Sequence, residues 1–532
     1  MNAEPRASRT KSPRPAREMR VERAGAHGEH EHDAHLRYRR AKATKRSGTS
    51  GEKSETPVVP KKPENSPHED PGEGRGGRIM EPNEGTMAEP LNSGTVSTRL
   101  ERIAELAKKH PERVFKSLHH VVDVEWLREA FRRTRKDAAV GADGQTAEEY
   151  ARDLESNLEA LLSRFRTGTY RAPPVRRVHI PKGDGRTRPI GVPTFEDKVL
   201  QRAVAMVLEA VYEQDFHPGS YGFRPGRGTH DALAHLWEGL MSQRGGWVLE
   251  VDIRNFFDTL EHGTLRRFLD ERVTDGVLRR AIDKWLKAGV LEEGAVTHPE
   301  SGTPQGGVIS PILANVYLHG VLDVWFEKDV KPRLSGGAFL VRYADDFVIG
   351  FVEETDARRV MEVLAKRFAA HGLTLHPDKT RLLKFEPPRA GREDENDAGP
   401  GGFDFLGFTH HWAPSRKGNW IVKRRTMRTR FTRALDRIRE WCRTYRHLPI
   451  AEQCKALGRK MRGHFGYYGI TGNVEALQRF AYEVRRIWRT WLDRRSQRAA
   501  MKWERFNRLL LHHPLPPPRV VHSVYAQRPA KP

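Results

Sequence analysis

The feature that most constrains the fold is a pair of adjacent aspartates between two short apolar runs. Residues 339–351 read Phe-Leu-Val-Arg-Tyr-Ala-Asp-Asp-Phe-Val-Ile-Gly-Phe, which predicts two β-strands joined by a tight Ala-Asp turn. Two neighbouring carboxylates on such a turn repel each other, and a divalent cation removes that repulsion. We therefore predict a metal site at Asp345 and Asp346. Taken alone, the motif is equally compatible with an ordinary solvated turn.

A third carboxylate belongs to a second predicted strand. The apolar residues of 247–253 alternate along one face, and Asp252 projects from the other. If this strand neighbours the hairpin, Asp252, Asp345 and Asp346 can together hold two Mg²⁺ ions about 4 Å apart, as in-line phosphoryl transfer requires. One ion would activate an attacking 3′-hydroxyl, and the other would bind the triphosphate and the leaving oxygen. These three aspartates are the predicted catalytic residues and metal ligands.

The positive charge of the chain is concentrated near its end. The net charge of the 532 residues is +23. Residues 411–532 hold 29 basic and 7 acidic side chains, whereas residues 1–95 and 96–410 are nearly balanced. Such a local excess predicts a polyanionic partner, most simply nucleic acid. A basic surface that serves only solubility is the alternative. Arg424, Arg428 and Arg433, assigned to a helix that follows Trp420, are the predicted RNA contacts.

Composition and periodicity suggest four segments. Residues 1–96 are rich in Pro, Gly, Ser and charge, which predicts disorder. Residues 97–410 mix helical and strand patterns, residues 411–510 are expected to be all-helical, and residues 511–532 form a Pro-rich tail. No apolar run approaches the roughly 18 residues of a membrane span, and no secretory signal is recognisable. We therefore expect a cytoplasmic protein without a membrane partner.

Several motifs occur in the order found in one enzyme family. They are Arg188-Pro-Ile-Gly-Val-Pro-Thr194, Gly219-Ser-Tyr-Gly-Phe-Arg-Pro-Gly-Arg-Gly-Thr-His-Asp231, Leu249-Glu-Val-Asp-Ile-Arg-Asn-Phe-Phe-Asp258, Gly302-Thr-Pro-Gln-Gly-Gly-Val-Ile-Ser-Pro311, the Tyr-Ala-Asp-Asp box, Phe403-Asp-Phe-Leu-Gly-Phe408 and Leu457-Gly-Arg-Lys-Met-Arg-Gly-His-Phe-Gly-Tyr-Tyr-Gly-Ile470. Together they resemble the reverse transcriptases encoded by bacterial group II introns, and the last motif resembles the maturase domain. The resemblance covers roughly residues 98–525, with core motifs in 165–410.

The resemblance implies roles for further residues around the active site. Phe257 would be the aromatic gate that excludes a 2′-hydroxyl, although the adjacent Phe256 is an alternative. Lys182 and Lys198 would contact the triphosphate, and Gln305 would lie beside the template and the incoming nucleotide.

The same resemblance implies contacts on either side of the central blocks. Arg224 and Arg227 would contact phosphates of the template strand. Lys379, in a block where the family commonly has Asn-x-x-Lys, would support the site electrostatically, with a simple turn as the alternative.

The implied fold is a right-hand polymerase of the α+β class, with fingers and palm followed by a helical thumb and maturase domain. The implied function is RNA-directed DNA synthesis combined with binding of the intron RNA to assist its splicing and mobility. Expected partners are the intron RNA template, a DNA primer or target and dNTPs, with a homodimer left as an option. An endonuclease module is expected to be absent. The alternatives are a domesticated enzyme in repair or phage defence, and an RNA-binding splicing chaperone.

Overall fold

A computed structural model describes residues 94–181, 187–292, 295–297, 302–303, 306–388, 401–495 and 501–523. The expected disordered extension, apart from its last residues, therefore lies outside the described part. Lys182, Gln305 and the end of the Pro-rich tail lie outside it as well. Helices and strands alternate through the first part of the described chain, and helices alone follow Met427. The predicted α+β class is confirmed.

A series of α-helices precedes the basic C-terminal region in the described chain. They are α1 Val96–Lys109, α2 Val124–Arg133, α3 Ala147–Arg152, α4 Leu154–Thr167, α5 Phe195–Tyr212, α6 Thr229–Gln243, α7 Phe256–Thr259, α8 His262–Asp270, α9 Gly276–Leu286, α10 Ser310–Leu318 and α11 Glu354–Ala369. A π-helical segment, His319–Asp323, directly continues α10.

The central sheet contains both predicted aspartate strands. Its strands are β3 Trp247–Asp252, β6 Ala338–Tyr343, β7 Asp346–Phe351 and β8 Arg381–Lys384, in the order β6-β7-β3-β8. All neighbouring strands are antiparallel. One face packs against the largest hydrophobic core, and the other packs against α6 and a smaller core. Burial on both faces explains why these strands are almost continuously apolar in sequence.

A second sheet is formed by strands from residues 175–297. Its strands are β1 Val175–Pro181, β2 Thr187–Val192, β4 Val290–Glu292 and β5 Ala295–Thr297, in the order β2-β1-β4-β5. The alternation in Arg176-Arg-Val-His-Ile-Pro181 predicts a strand, and β1 is paired in antiparallel register with β2, with Arg188 opposite Ile180.

The segment after residue 400 differs from the prediction. Strands β9 Phe403–Phe405, β10 Phe408–Pro414 and β11 Trp420–Thr426 form a third sheet that packs on the smaller core. The expected domain boundary at residue 410 therefore falls inside β10. The expectation that the chain is wholly helical beyond Trp420 is wrong, because β11 pairs along its length with β10.

Four helices complete the described chain. They are α12 Arg428–Thr444, α13 Ile450–Tyr468, α14 Val474–Asp493 and α15 Trp503–His512. They share their own hydrophobic core, in which Leu435, Ile438, Phe480, Val484 and Ile487 are buried. Helical periodicity in the sequence predicts one apolar seam through Leu435 and Ile438 and a second through Phe480, Val484 and Ile487, and both are buried here. Among the described helices, none is both long and apolar enough to cross a membrane.

Candidate active site

The central sheet brings the predicted aspartates together. In the antiparallel pairing of β3 with β7, Asp252 lies directly opposite Asp346. Residues paired in this way have Cα atoms about 4.5–5.5 Å apart. Asp345 lies beside them in the two-residue turn between β6 and β7, where Tyr343 pairs with Asp346. Residues that are far apart in sequence are therefore neighbours at one end of a sheet.

The electrostatics of the site follow from crowding these carboxylates in a partly buried place. Burial, together with the charges of Asp345, Asp252 and Glu250, raises the pKa of Asp346 to about 7. Burial and the charge of Asp252 also raise the pKa of Asp345, while Arg188 and Lys379 act in the opposite direction. The site consequently favours the binding of positive charge.

One cation already lies within this cluster. The Lys379 ammonium donates a 2.8 Å hydrogen bond to Asp252 Oδ2. The segment that carries Lys379 is held against β3, because the His376 amide donates to the Asp252 carbonyl over 2.8 Å. This contact agrees with the electrostatic support that the family resemblance implies for Lys379.

An open cavity of about 680 Å³ lies in front of the cluster. Among the residues that line it are Arg188, Asp252, Phe257, Asp345 and Lys379. Asp346 does not line the cavity, although its strand partner Asp252 does. The wall thus combines carboxylates, cationic side chains and an aromatic ring.

The two adjacent phenylalanines occupy different environments. Phe256 is 2% exposed and belongs to the large core, whereas Phe257 is half-buried. Both contribute to the cavity wall, and their ring centroids are 5.3 Å apart. Phe257 is therefore the ring with more access to a ligand.

Lys198 does not reach the cavity. Its side chain is buried on α5, and Nζ donates a 2.6 Å hydrogen bond to the Ala139 carbonyl. Burial lowers the pKa of this ammonium. The contact with Ala139 contradicts the expectation that Lys198 faces a triphosphate, because the buried ammonium points into the protein and binds a backbone carbonyl there.

Arg224 is likewise an internal residue. The residue is 5% exposed, and its guanidinium forms an ion pair with Glu213 at 3.0 Å and donates to the carbonyls of His217 and Ser220. A template contact through Arg224 is therefore wrong for this arrangement, since the charge is already compensated. Arg227 is half-buried and donates to the Pro218 carbonyl over 2.7 Å.

The three predicted RNA-binding arginines fall in different environments. Arg424 lies on β11 rather than on a helix, is 1% exposed and donates to the Leu233 carbonyl. It is buried by the third sheet and cannot contact RNA there. Arg428 is exposed at the first residue of α12, and Arg433 is half-buried one turn further along. The prediction for these two remains a prediction.

Sequence reasoning missed a buried polar group next to the aspartates. Arg342, on β6, is fully buried and contacts Asp323 and Asn315. The available signal was a charged residue within the apolar run before the Tyr-Ala-Asp-Asp box, together with polar residues in the apolar helix after Ser310. Buried charges of this kind occur almost only with a partner.

Comparisons with known proteins agree with this geometry. The family described as reverse transcriptase (RNA-dependent DNA polymerase) matches residues 180–410. Protein YkfC of Escherichia coli (strain K12) is 33% identical over 326 residues, which are 54% of this chain and 84% of YkfC.

Two further relatives are named after introns. The group II intron-encoded protein LtrA of Lactococcus lactis subsp. cremoris is 36% identical over 247 residues, 44% of this chain and 40% of LtrA. Nuclear intron maturase 3, mitochondrial, of Arabidopsis thaliana is 31% identical over 179 residues, 30% of this chain and 24% of that protein. The matched part thus spans most of YkfC but less than half of LtrA. The chain therefore belongs to the reverse transcriptase family, and its resemblance to the group II intron type is confirmed.

Proposed function

We propose that the protein is an RNA-directed DNA polymerase that extends a primer on its intron RNA and binds that RNA to assist splicing. The observation that carries the proposal is the pairing of Asp252 with Asp346 beside Asp345, at the wall of an open cavity. Carboxylates with raised pKa values beside cationic side chains are typical of sites that handle charged substrates.

The carboxylates fit the Mg²⁺ that reverse transcription requires. Mg²⁺ prefers oxygen ligands, and the crowding that raises the pKa values of Asp345 and Asp346 would be relieved by it. Two bound ions would lower the pKa of a primer 3′-hydroxyl and neutralise the triphosphate. Among the described residues, no three His, Cys, Asp or Glu side chains are already drawn together as a metal site. Oδ2 of Asp252 accepts a hydrogen bond from the Lys379 ammonium. A bound ion would either share this oxygen with Lys379 or displace the ammonium from it.

The remaining cavity wall is suited to the nucleotide. Arg188 and Lys379 bring positive charge to the cavity wall that the carboxylates also line, and a triphosphate needs such charge. Phe257 presents a flat apolar ring, which can pack against a deoxyribose but leaves little room for a 2′-hydroxyl. The chain itself would thus bind, orient and select the nucleotide.

The basic C-terminal region supports the RNA-binding half of the proposal. Helix α12 has no acidic residue in its first turn and begins with Arg428, so its positive end carries additional positive charge that a phosphate would relieve. On α14 and α15, Tyr482 and Trp503 are 56% and 39% exposed, with near-parallel rings 6.5 Å apart. The Arg489 guanidinium lies 4.7 Å from the Trp503 ring. Aromatic rings beside arginines are suited to unpaired bases.

The test is primer extension by Asp345→Asn on a primed RNA template. We expect loss of DNA synthesis with RNA affinity, and splicing assistance where present, largely retained. Asp378→Asn is the matched control, because Asp378 is an exposed carboxylate on the same cavity wall but outside the paired strands. An undiminished extension rate for Asp345→Asn would refute the polymerase assignment and leave the RNA-binding chaperone.

A further inference from the structure

Directly behind the aspartate hairpin lies a buried ion pair that the proposed chemistry does not use. The side chains of Arg342 and Asp323 are both 0% exposed. Arg342 donates to the two carboxylate oxygens of Asp323 over 2.8 Å and 2.5 Å, which is a forked arrangement. Asp323 ends the π-helical segment His319–Asp323, and such irregular turns occur frequently at functional sites.

The same guanidinium reaches the catalytic turn. Arg342 Nη1 donates to the Ala344 carbonyl over 3.1 Å and to Asn315 Oδ1 over 3.0 Å. Ala344 has a φ of 59°, a left-handed conformation that hairpin turns of this length normally assign to glycine. Since alanine does not favour this conformation, the surroundings must hold it. The peptide held in this way leads directly into Asp345.

A second segment closes the turn from the other side. Asn315 Nδ2 donates to the Gly222 carbonyl over 2.8 Å, and the Arg342 amide donates to the Gly219 carbonyl over 2.8 Å. A Cβ at Gly222 would lie 2.2 Å from the Ala344 nitrogen. The backbones of residues 219–222 and the catalytic turn are therefore in direct contact, and Arg342 and Asn315 join them.

Stability alone does not account for this arrangement. A fully buried ion pair is often no more stabilising than a well-packed apolar pair, because both charges lose their hydration. The Arg342 guanidinium also holds the Ala344 carbonyl. An apolar pair could not fix the orientation of that peptide group.

We propose that Arg342, held by Asp323 and Asn315, is a positioning residue that fixes the Ala344 peptide and thereby directs Asp345 into the cavity. This inference rests on the proposed function, because Asp345 acts there as a metal ligand. Arg342 itself is fully buried and does not line the cavity in which nucleotide and metal would bind.

The test replaces the ion pair by an apolar pair, Arg342→Met with Asp323→Leu, in the full chain. We expect a lower melting temperature, because the Ala344 carbonyl and Asn315 Oδ1 lose their donor together with the ion pair. The kcat per active site, counted by burst titration on a primed RNA template, should fall by about 10- to 100-fold. The Mg²⁺ concentration for half-maximal rate should rise, while KM for the dNTP changes little. A merely structural role would reduce the fraction of active molecules and leave kcat per active site unchanged.

Two further variants keep the outcome decisive. Arg342→Lys retains the charge beside Asp323 but cannot make the forked contacts, so it should lower kcat even if the double variant fails to fold. The control is Arg272→Met with Asp215→Leu, another largely buried pair at 2.8 Å whose arginine also binds backbone carbonyls. It should lower stability without lowering kcat per active site. A kcat per active site within about twofold of the original in both Arg342 variants would overturn the inference. Polymerisation by Asp345→Asn would overturn the proposed function and this inference together.

Discussion

Arg424 on β11 lies directly opposite His410 on β10, and both side chains are buried. The His410 ring stacks on Phe403 with centroids 4.9 Å apart. Burial, and then the charges of Arg424 and His411, lowers the pKa of His410 to about 3. His410 is therefore neutral in the folded protein at neutral and mildly acidic pH.

A second histidine is neutral for the same reason. His464 on α13 stacks on Phe480 with centroids 3.7 Å apart, and burial lowers its pKa to about 4. Unfolding returns both rings to water, where the histidine pKa is about 6.5.

We predict that His410 and His464 lower the free energy of unfolding as the pH falls from 6.5 toward 4, a contribution that the raised pKa of Asp346 opposes over the same range. In this window the unfolded chain binds protons at His410 and His464 and the folded chain does not, so acid favours unfolding. Each ring should contribute up to about 1.4 kcal/mol per pH unit, and the contribution should vanish above pH 7. Urea unfolding at pH 7 and pH 5 measures the difference.

The control for this prediction is the removal of single rings. His464→Phe preserves the stack on Phe480 and should make the loss at pH 5 smaller by about 2 kcal/mol. His447→Gln removes an exposed imidazole and should leave the pH dependence unchanged. Equal pH dependence in all three proteins would show that the buried histidines are not responsible.

The neighbouring phenylalanines allow a sharp test of nucleotide selection. Phe257→Ala should lower the preference for dNTPs over rNTPs, measured as the ratio of kcat/KM values, by at least about 10-fold, a cost of roughly 1.4 kcal/mol. The reason is that the half-buried ring of Phe257 forms part of the cavity wall, and its removal makes room for a 2′-hydroxyl.

Phe256→Leu is the comparison variant for that experiment. Since Phe256 is 2% exposed, its replacement should lower the melting temperature while leaving the dNTP preference intact. The opposite result, with selectivity lost only in Phe256→Leu, would assign the gate to the other ring.

Local patterns were sufficient to predict the catalytic hairpin and its neighbour. The apolar runs around Asp345 and Asp346 predict short strands, and Asp252 follows a run of the same kind. The prediction that the three aspartates meet required one assumption, that the two strands are neighbours in the sheet. The pairing of Asp252 with Asp346 confirms that assumption. The apolar seams through Leu435 and Val484 could be predicted equally well, because apolar residues at helical spacing identify the buried face of a helix.

The predictions for basic residues were wrong where a buried side chain binds a partner that the local sequence does not indicate. Nothing near Arg224 in sequence indicates that it points inward to Glu213, and nothing near Lys198 indicates the Ala139 carbonyl. Arg424 was assigned to a helix because basic residues continue into α12. Its strand exists because β10 pairs with it, and pairing of this kind is a tertiary effect that overrides local preference.

The corrected environments change which arginines should bind RNA. We predict that Arg428→Ala with Arg433→Ala weakens binding of the intron RNA and makes the plot of log affinity against log salt less steep, by about 1 to 2 units of slope. The reason is that each phosphate contact releases counterions on binding, so fewer counterions are released when contacts are lost. Filter binding at several salt concentrations measures both quantities. Arg424→Met should instead lower the melting temperature and leave the salt slope unchanged, since Arg424 is 1% exposed. A slope that falls for Arg424→Met, but not for the other pair, would place the RNA surface on the β10–β11 face instead of on α12.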